Sequence, residues 1–293
     1  MRWSEYLITG LDAWLKPAHE PEKNATEGVE QRFSSEEILE ACKAHQYTSE
    51  IISLDPLVIY INNFTSAHEA EELIDIGSPD FESSYISRSH GPNSLASGRT
   101  STSAPLPLDH PLVSCILARA RTFMGNMLLP TEPFSIPQLV RYFPGQKYDL
   151  HTDFWPEHQV VADGPDRGRL FNRVASFFVF LRDNCTDGYT NFPSVSPPSA
   201  TPDDLAARYG SRVAVGEKDG KPQGLKFKPV RGNAVFWVNI DGEGKGDRRL
   251  LHAGLPVGEG EKIGLNIWPR KWYGWENGRG EEERKGWSGK WKE

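Results

Sequence analysis

His151 and Asp153, in the segment RYFPGQKYDLHTDFW, have side-chain types and a spacing that could bind a metal ion. The surrounding residues are aromatic and β-prone, and side chains at positions i and i+2 of a strand point to the same face. Together they supply two of the three ligands of a 2-His-1-carboxylate triad, which leaves coordination positions open on a non-haem Fe(II). His252 follows an apolar run and precedes a turn signal. The sequence therefore predicts a metal centre formed by His151, Asp153 and His252.

Three segments around these residues resemble the prolyl 4-hydroxylase family of iron and 2-oxoglutarate dioxygenases, and in particular its fungal-type members. They are GQKYDLHTDFW, GYTNFP and GNAVFWVNIDGEGKGDRRLLHAGLPVGEGEKIGLNIW, and the resemblance runs from about Pro56 to Trp268. It implies that O2 oxidatively decarboxylates 2-oxoglutarate to succinate and CO2 while a prolyl residue of a peptide or protein is hydroxylated, as by a procollagen-proline 4-dioxygenase. It also implies ascorbate as the reductant.

Two other classes of protein could use the same three ligands. A zinc-dependent hydrolase on a cupin-like barrel would bind its ion through the same side chains, and a non-catalytic jelly-roll module would keep the metal for structure alone. Neither needs a second anion pocket. Lys262, ten residues after His252, weighs against both classes, because the resemblance implies that it binds the distal carboxylate of 2-oxoglutarate.

The resemblance assigns further residues to the 2-oxoglutarate pocket. A dicarboxylate with one end on the metal needs a cation at its far end, and a buried Lys262 is costly unless such a ligand pairs with it. Tyr142 and Thr190 match family positions whose hydroxyl groups assist this carboxylate. We therefore expect Tyr142, Thr190 and Lys262 to hold 2-oxoglutarate together.

The resemblance also implies a groove for a peptide substrate. In the family, aromatic rings pack against a proline ring and an arginine bonds to a peptide carbonyl group; the matching residues are Tyr148, Arg173 and Trp268. Two departures lie where a substrate would enter: the usual glycine run before T-x-F-P is Asp187-Gly188-Tyr189, and the insertion 156–171 differs in composition. A free amino acid or a small-molecule natural product is therefore the alternative to a proline-rich peptide.

Length and composition indicate one globular domain. The chain has 293 residues, of which 38% are hydrophobic and 11% aromatic, so it can bury a sizeable core. Its net charge of −7 argues against a nucleic-acid partner, because phosphate binding uses clustered lysine and arginine. The apolar stretch near the N-terminus is interrupted by Gly10 and Asp12, so we expect no membrane-spanning segment.

Cysteine usage and targeting signals bear on the compartment. The three cysteines at 42, 115 and 185 are far apart and odd in number, so the sequence predicts free thiols and no disulfide framework. N-x-S/T sequons at 24, 63 and 184 are a weak sign of a secretory route. If Met1 is the native start, the expected location is cytoplasmic; otherwise the endoplasmic reticulum lumen is the alternative.

The predicted helices come early in the chain. Residues 1–50 are predicted to form an N-terminal extension and linker, in which a capping box from Ser34 to Glu37 begins a short helix. A strand is expected at 51–63 and a helix at 66–77. Another helix is expected from about 111 to 126, with Asp109 as its N-cap.

The predicted strands come late. From residue 134 onward, short apolar segments alternate with proline and glycine, which indicates a sandwich or barrel, and 176–181 is expected to be a buried central strand. The expected fold is α+β but mainly β: a dioxygenase domain at 51–275 with a jelly-roll core, a double-stranded β-helix, at about 134–270 and N-terminal helices packed on it. The insertions 156–171 and 194–224 are predicted to be lids or binding loops, and 276–293 a charged, disordered tail.

Overall fold

The computed structural model describes residues 34–84, 98–196, 201–218 and 221–274, so residues 1–33 of the predicted N-terminal extension and linker, and the predicted tail, lie outside the described residues. The helices are α1 (Ser35–Ala44), α2 (Ala67–Gly77), α3 (Pro111–Met124) and α4 (Pro202–Tyr209). The strands are β1 (Thr48–Leu54), β2 (Leu57–Asn62), β3 (Glu82–Ser83), β4 (Thr102–Pro105), β5 (Gln138–Tyr142), β6 (Tyr148–His151), β7 (Gln159–Val160), β8 (Leu170–Arg173), β9 (Ala175–Asp187), β10 (Thr190–Phe192), β11 (Val213–Lys218), β12 (Lys221–Phe227), β13 (Ala234–Val238), β14 (His252–Gly254), β15 (Val257–Ile267) and β16 (Arg270–Tyr273).

The first two helices begin as the sequence predicts. In each of the capping boxes Ser34–Glu37 and Ser66–Glu69, the serine hydroxyl accepts from the glutamate backbone N–H and the glutamate carboxylate accepts from the serine backbone N–H. The N-cap of α3 is different from the prediction. It is His110, whose Nδ1 accepts a backbone hydrogen bond, and not Asp109.

The segment predicted as one strand at 51–63 is a hairpin. β1 and β2 pair in antiparallel register, and the chain reverses at Asp55 and Pro56, which are joined by a cis peptide bond. Proline lacks the backbone N–H that a strand interior needs, so it is found at turns and strand ends. The β character of this segment was correctly predicted, and the turn inside it was missed.

Two antiparallel sheets face each other and form the jelly roll. The large sheet has the order β1-β2-β13-β9-β15-β5-β4-β3, and the small sheet has the order β11-β12-β10-β14-β6. Phe192 of the small sheet packs edge-on against Trp237 of the large sheet, with ring centres 5.1 Å apart. A third sheet has the order β16-β8-β7, and its strands β7 and β8 lie within and at the end of the 156–171 insertion. The predicted double-stranded β-helix with N-terminal helices is confirmed.

The central strand β9 is buried on both faces, as predicted for residues 176–181. Phe178 and Phe180 belong to the core between the sheets, whereas Phe177 and Val179 belong to the core that includes apolar residues of α1, α2 and α3. This division follows from the alternation of side chains along a strand. Among the described residues, no helix is long and apolar enough to cross a membrane.

The insertion 194–224 contains more regular structure than a loop prediction allows. It includes α4 and β11 and the beginning of β12, and the β11–β12 hairpin extends the small sheet. Leu205 and Tyr209 of α4 are buried in the core between the sheets. In the 156–171 insertion, β7 pairs with β8. Both insertions therefore contribute strands to the sheets.

A disulfide bond joins Cys42 of α1 to Cys115 of α3, with Cα atoms 6.3 Å apart. The prediction of free thiols is wrong for this pair, and Cys185 is the free cysteine within the described ranges. Beside the disulfide, Arg119 donates to the backbone oxygen of Cys42 over 2.9 Å and forms a buried ion pair with Glu69 over 2.7 Å. The cysteines are 73 positions apart in the sequence, and nothing between them indicated that α1 would pack on α3.

Candidate metal centre and adjoining cavity

His151 and His252 face each other across neighbouring strands. His151 is the last residue of β6, His252 is the first of β14, and the two are paired in the antiparallel register. Asp153 lies two residues past the end of β6, so it comes from the following turn and not from the strand, as the sequence argument assumed. One potential ligand atom from each of the three residues lies within 4.8 Å of the others. The structure therefore brings the predicted triad together.

Backbone carbonyl groups fix the tautomer of both histidines. Nδ1 of His151 lies 2.8 Å from the oxygen of Asp149. Nδ1 of His252 lies 3.0 Å from the oxygen of Leu250. Because a carbonyl oxygen only accepts, each Nδ1 carries a proton and each Nε2 presents a lone pair. Burial, and then the neighbouring His252, lower the pKa of His151, which favours the neutral imidazole that a metal requires.

Asp153 presents an ionised and oriented carboxylate. Its Oδ2 accepts a hydrogen bond from Ser176 Oγ over 2.7 Å and another from Trp268 Nε1 over 3.0 Å. Burial acts to raise the pKa of Asp153, but the two histidines, Arg173 and the Ser176 hydroxyl outweigh it and hold the pKa below its usual range. An anionic oxygen ligand beside two imidazoles suits a divalent cation such as Fe(II).

Lys262 occupies the position expected for a cation at the far end of the cavity. It is 1% exposed, and its Nζ donates to the backbone oxygen of Gly188 over 2.6 Å. Burial lowers the pKa of Lys262 to about 7. Thr190 is buried nearby with no hydrogen-bond partner for its Oγ1, and Tyr142 is paired with Lys262 between β5 and β15. An unpartnered hydroxyl and a buried amine in the wall of one cavity fit a carboxylate ligand.

The three residues predicted to line a substrate groove all border the same cavity. The ring of Tyr148 stacks on the ring of His151, with centres 3.6 Å apart. The Arg173 guanidinium lies 4.4 Å from the Trp155 ring centre and 3.7 Å from that of Trp268. Burial lowers the pKa of Arg173 to about 10, so this side chain stays charged at neutral pH. Their contact with a peptide stays a prediction.

Sequence reasoning missed residues that shape the site. Arg99 is buried, lies 4.6 Å from the Tyr148 ring centre and donates to Gln138 Oε1 over 3.1 Å. No motif marks Arg99, because it reaches the cavity through the pairing of distant segments. Ser176 was visible as the one hydroxyl in the apolar run VASFFVFL, and this contrast was a signal that could have been used.

A cavity of about 560 Å3 connects the metal ligands with Lys262. Arginine, lysine and histidine side chains line it. Asp153 is the sole carboxylate among the described lining residues. Arg99 and Arg173 add positive charge beyond Lys262, so the cavity favours anionic and carbonyl-bearing molecules. Pro156 of the first insertion borders the cavity, whereas no described residue of 194–224 does. The described part of the second insertion therefore does not form the predicted lid or binding loop at this cavity.

Comparison with known proteins gives matches over the same region. Residues 137–270 match the 2OG-Fe(II) oxygenase superfamily. "Prolyl 4-hydroxylase 1" of Arabidopsis thaliana is 26% identical over 244 residues, which cover 82% of this chain and 78% of that protein. "Prolyl 4-hydroxylase subunit alpha-1" of Rattus norvegicus is 28% identical over 221 residues, which cover 73% of this chain and 34% of that protein.

Solved structures give a looser likeness. The viral collagen prolyl hydroxylase of Paramecium Bursaria Chlorella virus-1, solved as a 2OG complex, aligns with a TM-score of 0.46 and 23% identity and covers 78% of this chain and 98% of that one. The family match and the geometry of the triad agree on the cofactors. Both support Fe(II), 2-oxoglutarate and O2 as the cofactor and cosubstrates, with ascorbate typical of that superfamily's prolyl 4-hydroxylases; His151, Asp153 and His252 are the residues that could hold the ion.

Proposed function

We propose that this iron- and 2-oxoglutarate-dependent dioxygenase hydroxylates prolyl residues of a peptide or protein, with release of succinate and CO2. The observation that carries the proposal is that a 2-His-1-carboxylate cluster and a buried lysine share one cavity. A zinc hydrolase or a structural metal module would need the cluster but not the lysine. The prolyl 4-hydroxylases of plant and rat match most of this chain, which supports proline as the residue that reacts.

The chain's own residues bind the reactants and orient them. When bound, Fe(II) supplies the activation of O2 and the oxidation of the substrate C–H bond. His151, Asp153 and His252 would hold the ion, and a set of only three protein ligands would leave room for cosubstrates to bind it. Lys262 neutralises the distal carboxylate of 2-oxoglutarate, and the Thr190 hydroxyl donates to it. Phe178 and Trp237 line the same cavity and limit the water that can enter it.

An extended peptide suits the remaining part of the cavity. Chains in the polyproline II conformation dock onto aromatic grooves at low entropic cost, and Tyr148, Trp155 and Trp268 supply aromatic rings here. Arg173 has no hydrogen-bond partner for its Nε, so it is available to a peptide carbonyl group. The rival substrate is a free amino acid or small-molecule natural product; Tyr189, expected where a substrate would enter, does not line this cavity and instead has Lys226 Nζ 4.7 Å from its ring centre. A closer resemblance to fungal-type members finds no support in the plant and rat relatives.

The experiment is incubation of the purified protein with Fe(II), 2-oxoglutarate, ascorbate and one of three substrates. These are (Pro-Pro-Gly)n, polyproline peptides and free proline, and mass spectrometry detects the addition of one oxygen atom. We expect hydroxylation of the peptides and stoichiometric succinate. Hydroxylation of free proline alone would overturn the peptide proposal and leave the iron chemistry intact. Absence of succinate with every substrate, and without substrate, would overturn the dioxygenase itself.

We also propose that the protein works in an oxidising compartment, such as the endoplasmic reticulum lumen, and not in the expected cytoplasm. Disulfides persist in oxidising compartments and are rare in the cytosol. The Cys42–Cys115 bond supports this proposal, as does the sequon residue Asn184, which is exposed on β9. Immunolocalisation of the full chain in its source cells, combined with glycosidase treatment, tests it. A cytosolic signal with reduced cysteines would contradict it.

A further inference from the structure

We infer that Ser176 and Asn239 form a positioning pair that fixes the carboxylate of Asp153 for metal binding. The inference rests on the proposed function, because it concerns a ligand of the iron. Asn239 Nδ2 donates to Ser176 Oγ over 2.8 Å, and Ser176 Oγ donates to Asp153 Oδ2 over 2.7 Å. The three side chains thus form a hydrogen-bonded chain that ends on the metal ligand.

The direction of this chain is determined by chemistry. The amide nitrogen of Asn239 can only donate, and the Ser176 hydroxyl has a single proton. Ser176 therefore accepts from Asn239 and gives its proton to the carboxylate of Asp153. Without the Asn239 amide, the Ser176 hydroxyl could rotate and point its proton away from the Asp153 carboxylate. Asn239 thus acts on Asp153 through Ser176.

Both members of the pair are buried where a polar group is costly. Ser176 is fully buried and Asn239 is 1% exposed. Ser176 lies on the same face of β9 as Phe178, which lines the cavity. A side chain without hydrogen-bonding groups would avoid the desolvation cost at this position. The pair therefore needs a reason beyond packing, and its contact with Asp153 supplies one.

The backbone holds Asn239 rigidly at the end of β13. Its N–H donates to the oxygen of Val174 over 2.8 Å, and its own oxygen accepts from the N–H of Asp247 over 2.9 Å. Ser176 is opposite Trp237 in the antiparallel register of β9 and β13. Ser176 is thus placed by the large sheet and Asn239 by its backbone hydrogen bonds directly after β13, whereas Asp153 lies in a turn. The hydrogen bonds from Asn239 to Ser176 and from Ser176 to Asp153 therefore fix the position of a carboxylate that lies outside any strand.

The hydrogen bonds also distinguish the two oxygens of Asp153. Oδ2 accepts from Ser176 and from Trp268 and lies 3.9 Å from Nε2 of His252, whereas Oδ1 has no such donors and lies 3.7 Å from Nε2 of His151. A carboxylate whose Oδ2 is already bonded to two donors presents its other oxygen to the ion. Residues that orient metal ligands in this way contribute about 10- to 100-fold to metal affinity or activity.

The test is metal affinity of purified full-length variants. Metal-free protein is titrated with Mn(II), whose free ion is followed by electron paramagnetic resonance, and under anaerobic conditions with Fe(II). We expect Ser176→Ala to weaken binding of both ions by about 10- to 100-fold, and Asn239→Ala to weaken it by a smaller factor. Ser176→Thr keeps the hydroxyl and should restore most of the affinity. The amount of Fe(II) for half-maximal activity should rise, while kcat at saturating Fe(II) recovers.

The double variant and a matched control separate positioning from packing. If Asn239 acts through Ser176, adding Asn239→Ala to Ser176→Ala should cause no further loss of Mn(II) affinity. The control is Asn233→Ala, since Asn233 lies at the other end of β13 and donates to Tyr60 over 3.0 Å, away from the cavity. It should bind Mn(II) as the unchanged protein does.

Each result decides the inference. Normal Mn(II) affinity in folded Ser176→Ala and Asn239→Ala, or fully additive losses in the double variant, would overturn it. If Ser176→Ala does not fold, Asn239→Ala decides alone. If the unchanged protein binds neither Mn(II) nor Fe(II), the proposed function is wrong. That result differs from the ones above, and it would also overturn the positioning inference.

Discussion

Trp268 donates its indole N–H to Oδ2 of Asp153 over 3.0 Å, and this bond places the last residue of the family-like region directly on a metal ligand. The sequence assigned Trp268 to the substrate groove. The structure shows that its ring also contacts the guanidinium of Arg173 at 3.7 Å. One side chain therefore joins the metal ligand to a cation that borders the substrate space.

Trp268→Phe should separate these two contacts. Phenylalanine keeps an aromatic ring beside Arg173 but lacks the N–H that Asp153 accepts. A hydrogen bond to a charged group contributes about 1.5 to 3 kcal/mol, so we expect Fe(II) affinity to fall roughly ten-fold or more. Titration of the metal-free variant measures the change. The matched control is Trp272→Phe, whose indole donates to the backbone oxygen of Thr131 and should leave Fe(II) affinity unchanged.

Asp153→Ala and His252→Ala should each abolish stable iron binding, because each removes one of three protein ligands. Metal analysis after anaerobic loading and desalting measures the iron content. Conversion of 2-oxoglutarate to succinate without substrate should disappear with it. The control is Asp149→Ala, which removes an exposed carboxylate paired with Lys147 and keeps the backbone oxygen that orients His151. Undiminished iron in either ligand variant would show that the triad assignment is wrong.

The sequence predicted the parts of the molecule that depend on local pattern. Capping boxes at Ser34 and Ser66 and the apolar run 176–181 are signals within a few residues, and the structure confirms them. The apolar run and turn signal around His252 made it the candidate for the third ligand, and the family resemblance supported the choice, since about a hundred residues separate it from His151. Local periodicity alone could not have brought these two histidines to one point.

The errors concern features that arise from packing. Asp153 was expected on a strand, but β6 ends at His151, because pairing with β14 determines where a strand ends. The contact of Cys42 with Cys115 depends on how α1 lies on α3. Ser176 was placed in a buried strand, and the carboxylate that accepts from it could not be known from spacing. Each of these contacts joins residues that lie far apart in the chain.

Removing the disulfide should destabilise the fold. Cross-linking residues 73 apart restricts the unfolded chain, and native disulfides typically contribute about 2 to 4 kcal/mol. We expect Cys42→Ser to lower the free energy of unfolding by an amount in this range, measured by chemical denaturation. Cys185→Ser is the control, because that half-buried thiol is outside the bond. Peptide mapping without reductant should recover a cross-linked pair; free thiols at both positions would contradict the prediction.

Lys262→Ala should raise the KM for 2-oxoglutarate much more than it changes iron content. A charge-assisted bond to a carboxylate contributes about 1.5 to 3 kcal/mol, which is roughly a ten- to hundred-fold change. Steady-state kinetics and calorimetry of the iron-loaded protein measure the effect. Lys221→Ala, which changes an exposed lysine at the start of β12, is the control. Equal affinity in the unchanged protein and the Lys262 variant would remove Lys262 from the site, and a hydrolase would show no dependence on 2-oxoglutarate.

The binding of 2-oxoglutarate should also depend on pH through Lys262. Burial lowers the pKa of this amine to about 7, so in the ligand-free protein it is protonated below that pH and neutral above it. A bound carboxylate favours the charged amine and raises its pKa. Above about pH 7, binding must therefore take up a proton, and the affinity should fall by up to about tenfold per pH unit. Below that pH, the amine is already charged, so the binding of 2-oxoglutarate should take up no proton.

Calorimetry can measure this proton directly in the iron-loaded protein, where the metal ligands are held in one state. The observed binding enthalpy should vary with the ionisation enthalpy of the buffer at pH values above the Lys262 pKa, and not below it. Tyr142 stays protonated throughout, since burial raises its pKa to about 12. Lys262→Met cannot take up the proton, so its weaker binding should be independent of buffer and pH. A buffer-independent enthalpy in the unchanged protein at high pH would show that Lys262 is charged before 2-oxoglutarate arrives, and that burial does not discharge it.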